Sequence, residues 1–566
     1  MIPATMKKFF LPILVLFLFI QCKNQPAIPT GLVVEKAMVV SAREEASKVG
    51  SDIMANGGNA FDAMVGTQLA LAVAYPRAGN IGGGGFMVYR EADGAIGSLD
   101  FREKAPKSAH RDMYLDSLGS VIINMSTLGA TSVGVPGSVA GILEVHKKFG
   151  KLPLAAIFEP VITMAENGVV VTAKQADMLA QYREVFTEVN SDSTKFGAVY
   201  KEGDIITYPK LAATLRTIVE KGKDGFYKGE IAQKLANFIQ TNGGFVTEDD
   251  LASYDVVWRK PIAFNYKELK IISMSPPSSG GVTMNQIFDM IAPFDIGTFG
   301  HNSEKTIQVF TEASRRAYAD RNYYLGDPDF VDIPLDVLLK DSYLEDRMTD
   351  FSFDKATKSS DVSHGKVEIV ESMETTHYSI VDEEGNAVSV TTTLNGNFGS
   401  KLYCDELGFF LNNEMDDFSS KAGVPNMFGL IGAEANNIQP EKRMLSSMTP
   451  TIVEKEGELW MVVGTPGGST IITAVAQTIL NAYEFDMSMQ DAVNAPRFHH
   501  QWLPDIVTFE PEGFSTELKT SLKAKGYFIN EERTPIIGKV DAIRVLADGS
   551  LEGGADKRGD DMAVGF

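Results

Sequence analysis

The chain has 566 residues, 44% hydrophobic and 22% charged, the balance of an ordinary globular protein with material for a large core. Its 52 Lys and Arg stand against 74 Asp and Glu, a net charge of −22, which argues against a nucleic-acid partner because phosphate binding needs a basic footprint. Cys22 and Cys404 are the only cysteines, too few for a disulfide framework or a cysteine-based metal site.

At the N-terminus, Lys7 and Lys8 precede the apolar run Phe9 to Ile20. That run is too short for an ordinary membrane span and reads as a signal peptide over residues 1–21. It leads directly into Cys22, the pattern of a bacterial lipoprotein signal that is cut before an acylated cysteine. The expected product is exported to the periplasm and lipid-anchored at Cys22. The alternative is a soluble periplasmic protein whose Cys22 leaves with the signal. Residues 22–31 are a polar, Pro-containing tether, and order is expected from near Leu32.

The Ser41 to Glu44 spacing suggests a capping box opening a helix that stops at Gly57-Gly58. A second helix from Asn59 to about Tyr75 is apolar on nearly every face, which indicates burial. The glycine cluster Gly82 to Gly85 precedes a strand rather than a helix. It therefore reads as close backbone packing at a sheet edge, not as a nucleotide loop. Arg102 stands at the end of the next strand. Residues 130–330 read mainly as helices, with Pro276 to Gly281 as a loop, and structural roles are expected for Asp320 to Tyr324. Asp350 to Ser372 is polar and is expected to be an exposed, flexible loop.

Residues 374–395 carry the chemistry. Glu384-Gly385-Asn386 is turn sequence between β-branched and aromatic runs, so two antiparallel strands are expected. A turn at Gly385 would set Thr375 opposite residues 394–396, beside Thr393 and Asn395. Taken alone, these threonines are ordinary strand residues. Downstream, Glu414 and Asp417 lie in an acidic turn that lacks the alternating ligand spacing of a calcium loop. Ser446 and Ser447 follow. A second hairpin, Thr451 to Gly464, turns at Glu456-Gly457 and delivers Gly467 and Gly468 to a helix start, where free N–H groups form an anion nest. His499 and His500 are adjacent, so on a strand they point to opposite faces and do not share a metal.

The run Thr375-Thr376-His377-Tyr378-Ser379, the Asn80 to Met87 segment, and the motifs around Arg102, Asp320, Glu414 and Ser446 resemble, in the same order, those of the γ-glutamyltranspeptidases. The resemblance spans roughly residues 33–566. It implies an α+β fold, the four-layer αββα sandwich of N-terminal nucleophile hydrolases. The sandwich would be formed by a large subunit, 32–374, and a small catalytic subunit, 375–566, of one processed chain. By that resemblance Thr375 is the nucleophile, exposed when the Glu374–Thr375 bond is cut, and Thr393 orients it. Arg102, Ser446 and Ser447 would hold the substrate's α-carboxylate, while Asn395, Glu414 and Asp417 hold its α-amine. Gly467 and Gly468 would form the oxyanion hole. No cofactor or metal is implied. The partners are γ-glutamyl compounds and amino-acid or peptide acceptors. Residues 421–432 resemble the lid of bacterial members, with Phe428 where many carry a tyrosine. Two alternatives are a related cephalosporin or glutaryl acylase and a non-catalytic solute-binding lipoprotein.

Overall fold

The computed structural model describes residues 28–190, 194–363, 375–421, 426–427, 433–531 and 535–566. At its centre is the hairpin of Thr376–Val381 and Ala387–Thr393, antiparallel with Thr376 opposite Thr392 and Val381 opposite Ala387. The Asp382 carboxylate accepts from the N–H of Glu384 at 3.0 Å and of Asn386 at 2.9 Å. These bonds centre the turn on Glu384, not on Gly385. The register therefore carries Thr375 to Thr393, not to residues 394–396. A two-residue shift of partner leaves the facing of side chains unchanged.

The hairpin lies in the middle of a seven-stranded antiparallel sheet. Met38–Ser41 and Met562–Gly565 lie on one side of it, and Gly84–Arg90, Ile96–Asp100 and Val257–Arg259 on the other. A second seven-stranded sheet runs Val33–Val34, Leu551–Ala555, Asp541–Val545, Glu458–Gly464, Thr451–Lys455, Leu269–Ser273, Ile262–Tyr266. Strand periodicity then divides the hairpin. Tyr378, Ile380, Val388 and Val390 enter the core beneath the helices Glu44–Ala55 and Ala60–Ala74. Ser379 and Ser389, on the opposite face, reach the second sheet. The Ser389 hydroxyl donates to the carbonyl of Val463 at 3.2 Å, and Ser379 donates to that of Asp541 at 3.0 Å. Helices Gly280–Ile291, Glu304–Tyr324 and Ile471–Glu484 cover the outer face of the second sheet. The order is helix, sheet, sheet, helix, the αββα plan.

Two local expectations are corrected. Ser41 ends a strand and bonds Ser47, so the helix Glu44–Ala55 begins from Arg43 without a side-chain cap. The capping box stands one helix later, where Asn59 accepts from the N–H of Asp62 at 2.9 Å and the Asp62 carboxylate accepts from that of Asn59 at 3.2 Å. Residues 350–363 are not a loose loop. Thr357 N–H donates to Glu312 and Ser359 N–H to Asp505, Trp502 Nε1 donates to the Ser359 carbonyl, and Val362 is buried. Polar side chains there serve as anchors to the body, which composition does not distinguish from solvation. The remainder of that stretch, with Glu374, lies outside the described residues, as do Cys22 and Phe428. Among the described residues no helix is long and apolar enough to cross a membrane.

Candidate active site

Thr375 sits at the open end of the central hairpin, 4% exposed, directly before the strand Thr376–Val381. One cavity is lined by Thr375 with Thr393, Asn395, Glu414 and Asp417. The same cavity is lined by Arg102, Ser446, Ser447 and Gly468. Residues spread over more than 360 positions of sequence thus meet at one sheet end. A larger open cleft of ≈ 590 Å³, lined by Trp258, Arg259, Phe330 and Asp332, contains none of them.

The glycine run makes this approach possible. A Cβ on Gly83 would lie 2.0 Å from the carbonyl oxygen of Thr393, so only glycine lets that strand close against the hairpin. The cluster is backbone packing beside the site, as its place before a strand indicates.

Thr393 is held on both sides. Its hydroxyl oxygen accepts from the N–H of Asn395 at 2.7 Å, and the Glu414 carboxylate accepts its proton. Asn395 has φ 75°, and its amide donates to the carbonyl of Asn413 at 3.0 Å. Met427, one of the three described residues in the lid stretch, brings its sulfur to 3.7 Å from the Asn395 amide nitrogen.

Arg102 is fully engaged. Its guanidinium pairs with Glu414 at 2.6 Å and with Asp417, and Glu103 lies 3.5 Å away. Burial opposes its charge, but Glu414, Asp417 and Glu103 together hold its pKa above the ordinary arginine value. One guanidinium serves three carboxyl groups, and burial pushes all three upward. Glu103, the furthest of them, rises to about 8 and keeps its proton at neutral pH. Arg102 and the two acids form one ion-paired group.

Ser446 and Ser447 are braced by the loop Pro276 to Ser279. The N–H of Ser446 donates to the carbonyl of Pro277 at 2.9 Å, and the N–H of Ser279 donates to that of Ser446 at 2.7 Å. Gly467 and Gly468 both have positive φ, 141° and 54°. They precede the helix Ile471–Glu484 through a single 3₁₀ turn, so the N–H of Gly468 opens a helical run and has no preceding carbonyl to bond. Gly468 lines the cavity, and Gly467 precedes it in the chain without lining it.

Two participants were missed in the sequence. Arg321, which the sequence reading gave a structural role, lines the cavity. His377 is fully buried between the sheets, its ring nitrogens 2.9 Å from Thr391 Oγ1 and 3.0 Å from Ser379 Oγ. Burial lowers its pKa to about 3, so it is neutral and has no acid–base part at ordinary pH. Among the described residues no three acidic, His or Cys side chains cluster as a metal site. His499 bonds Thr473 and Gln501, and His500 bonds Asp505.

The γ-glutamyltranspeptidase family profile matches residues 46–566. This chain belongs to that family. The glutathione hydrolase proenzyme of Escherichia coli (strain K12) is 44% identical over 537 residues, covering 94% of this chain and 92% of the other. That of Bacillus subtilis (strain 168) is 35% identical over 94% and 91%. Among solved structures, a cephalosporin acylase from Bacillus halodurans superposes with a TM-score of 0.83 at 25% identity, covering 96% of this chain and 98% of its own. A γ-glutamyltranspeptidase chain from Helicobacter pylori superposes with a TM-score of 0.57 at 41% identity, covering 61% of this chain and 99% of its own.

Proposed function

We propose that this protein is a γ-glutamyltransferase and glutathione hydrolase that cuts itself between Glu374 and Thr375 and then acts through Thr375. The observation that supports this reading is the convergence of Thr375, Thr393, an ion-paired Arg102–Glu414–Asp417 group and a glycine nest on one cavity, in a chain of this family. The Helicobacter pylori chain, matched almost whole, covers 61% of this chain, a share equal in size to residues 32–374, which agrees with division at Thr375 into a large and a small subunit.

In the precursor, Thr375 Oγ attacks the carbonyl carbon of Glu374. The acyl group moves from nitrogen to oxygen, and water hydrolyses the resulting ester. Residue 374 then ends in a carboxylate, and Thr375 begins with a free amine. That amine titrates near ~8 in unperturbed chains and removes the proton from its own hydroxyl. Oγ attacks the γ-carbonyl of the donor while the N–H groups of Gly467 and Gly468 receive the oxyanion. In other acyl-transfer enzymes, loss of one such donor costs on the order of 10²–10³ in turnover. The departing amine takes the proton, and water or an amino acid or peptide releases the γ-glutamyl group from Thr375. Thr393, tied to Asn395 and Glu414, orients the nucleophile. Glu414 and Asp417 offer the donor's ammonium group two acidic partners beside Arg102. A glutaryl donor brings none, which weighs against the acylase alternative.

Export with a lipid anchor at Cys22 completes the reading. The test is intact mass and N-terminal sequencing of the purified protein beside Thr375→Ala. Two fragments, the smaller starting Thr375-Thr376-His377, with the variant whole, are expected. A wild-type chain that stays uncut after long incubation at neutral pH refutes the proposal and favours a binding protein.

A further inference from the structure

Two peptide units form the glycine nest, Pro466–Gly467 and Gly467–Gly468. Both are trans, so each N–H points away from the carbonyl it is joined to. Whatever fixes the carbonyl therefore aims the N–H. A buried threonine hydroxyl does so in each case. The Thr465 hydroxyl donates to the Pro466 carbonyl at 2.8 Å, and its oxygen accepts from the N–H of Lys539 at 2.8 Å. The Thr470 hydroxyl donates to the Gly467 carbonyl at 2.8 Å, where the N–H of Thr470 also donates at 3.0 Å. Both threonines are buried, so water does not compete for these bonds.

The role of Thr470 is not that of a helix cap. It occupies the cap position of the helix Ile471–Glu484, where a threonine ordinarily accepts from an N–H of the first turn, yet its side chain makes no such bond. The hydroxyl turns back to the nest instead. Glycine leaves it the space, since a Cβ on Gly467 would lie 2.6 Å from Thr470 Oγ1. A carbonyl has two lone pairs, and at Gly467 the two Thr470 donors take both. Rotating the Gly467–Gly468 peptide would break both bonds at once. The N–H of Gly468 is thus held on the side away from Thr470, at a residue that lines the cavity with Thr375.

We infer that Thr470 is a positioning residue of the reaction, whose hydroxyl fixes the Gly467–Gly468 peptide so that the N–H of Gly468 meets the oxyanion formed at the donor's γ-carbonyl. Thr465 holds the peptide before it in the same way. The inference rests on the proposed function and adds to it the side chain that pre-orients the oxyanion donor. Such a donor is effective because it needs no reorganisation as charge develops. Loosening it therefore weakens binding of the transition state and spares binding of the substrate.

Thr470→Val keeps the shape of the side chain and the N–H of residue 470 and removes only the hydroxyl, which Thr470→Ser restores. For the matured Val variant, kcat on a γ-glutamyl anilide should fall on the order of 10-fold, the upper range for one neutral hydrogen bond. Its KM should stay within about 2-fold, and the Ser variant should stay within about 2-fold of wild type in both terms. Two inhibitors give a second readout. A boronic-acid analogue of glutamate takes up Thr375 Oγ at boron, the hydroxyl proton passing to the Thr375 amine, and becomes a tetrahedral anion. Norvaline has the same α-groups and no oxygen at the end of its side chain. The Val variant should lose affinity for the boronate in step with kcat and keep its affinity for norvaline. If it does not mature, Thr470→Cys, which keeps a weak donor, carries the test with the same split and a smaller loss. An unchanged kcat, a Ser variant as slow as the Val variant, or equal weakening of boronate and norvaline overturns the inference alone. A wild-type enzyme that matures but turns over no γ-glutamyl anilide overturns the functional reading and the inference with it.

Discussion

Gly464 is where the second sheet meets the catalytic hairpin, and a single methyl group there tests how tightly the joint is packed. A Cβ on Gly464 would lie 2.3 Å from His377 Cε1, 2.4 Å from Nδ1 and 2.8 Å from Nε2. The ring cannot step aside without leaving both Thr391 and Ser379, and it is enclosed on every side. Gly464→Ala therefore combines overpacking, about 1–3 kcal/mol, with two strained hydrogen bonds of about 1 kcal/mol each. A total of about 3–5 kcal/mol is expected. His377→Ala alone should cost about 2–4 kcal/mol through the cavity it leaves. In the double variant the new methyl enters the space the ring vacated, so the two losses should fall short of their sum by about 2 kcal/mol. Urea unfolding in a Thr375→Ala background measures this on one covalent chain, free of subunit dissociation. Losses that add to within about 0.5 kcal/mol would refute the packing argument. Because the strand ending at Gly464 delivers Gly467 and Gly468 to Thr375, Gly464→Ala in the wild-type background should also slow maturation.

His377 also makes stability depend on pH. Its folded pKa, about 3, lies below the ordinary histidine value. The unfolded chain therefore binds a proton that the folded one refuses, and stability from this ring is lost as pH falls below about 6.5. Between pH 7 and 5 the loss from this ring should be about 2 kcal/mol, read as the difference between wild type and His377→Asn at the two pH values. Glu414→Gln removes one of the two acids paired with Arg102. KM for the γ-glutamyl anilide should rise about 10-fold, while the glutaryl anilide, which brings no ammonium group, is unaffected. A steady-state comparison of the two donors checks it, and an equal change on both would refute the charge argument.

Much of this molecule was legible in the chain itself. Strand periodicity and turn residues located both hairpins, and the paired serines, the acidic turn and Gly468 line one cavity with Thr375. The errors fell where local signals compete. Ser41 and Glu44 have capping-box spacing, yet Ser41 is held in a strand by Tyr378 across the sheet and by Ser47, and tertiary pairing prevails. The turn was placed one residue late because Gly385 is the obvious turn residue, whereas the Asp382 carboxylate sets the centre. Residues 350–363 looked like solvated loop because side chains that bind water and side chains that bind Arg315, Arg316 or Asp505 have the same composition.

What the sequence determined alone was the order of elements and the kind of groups near the hairpin, since each is a matter of periodicity or residue type within a short window, while the nucleophile candidate came from the family resemblance. What the tertiary structure decided was which charge pairs with which. Arg102, Glu414, Asp417 and Arg321 come from separate parts of the chain. Which acid stands beside which arginine depends on distances of a few ångströms across a buried cavity, where the electrostatic energy is large and no local pattern records it.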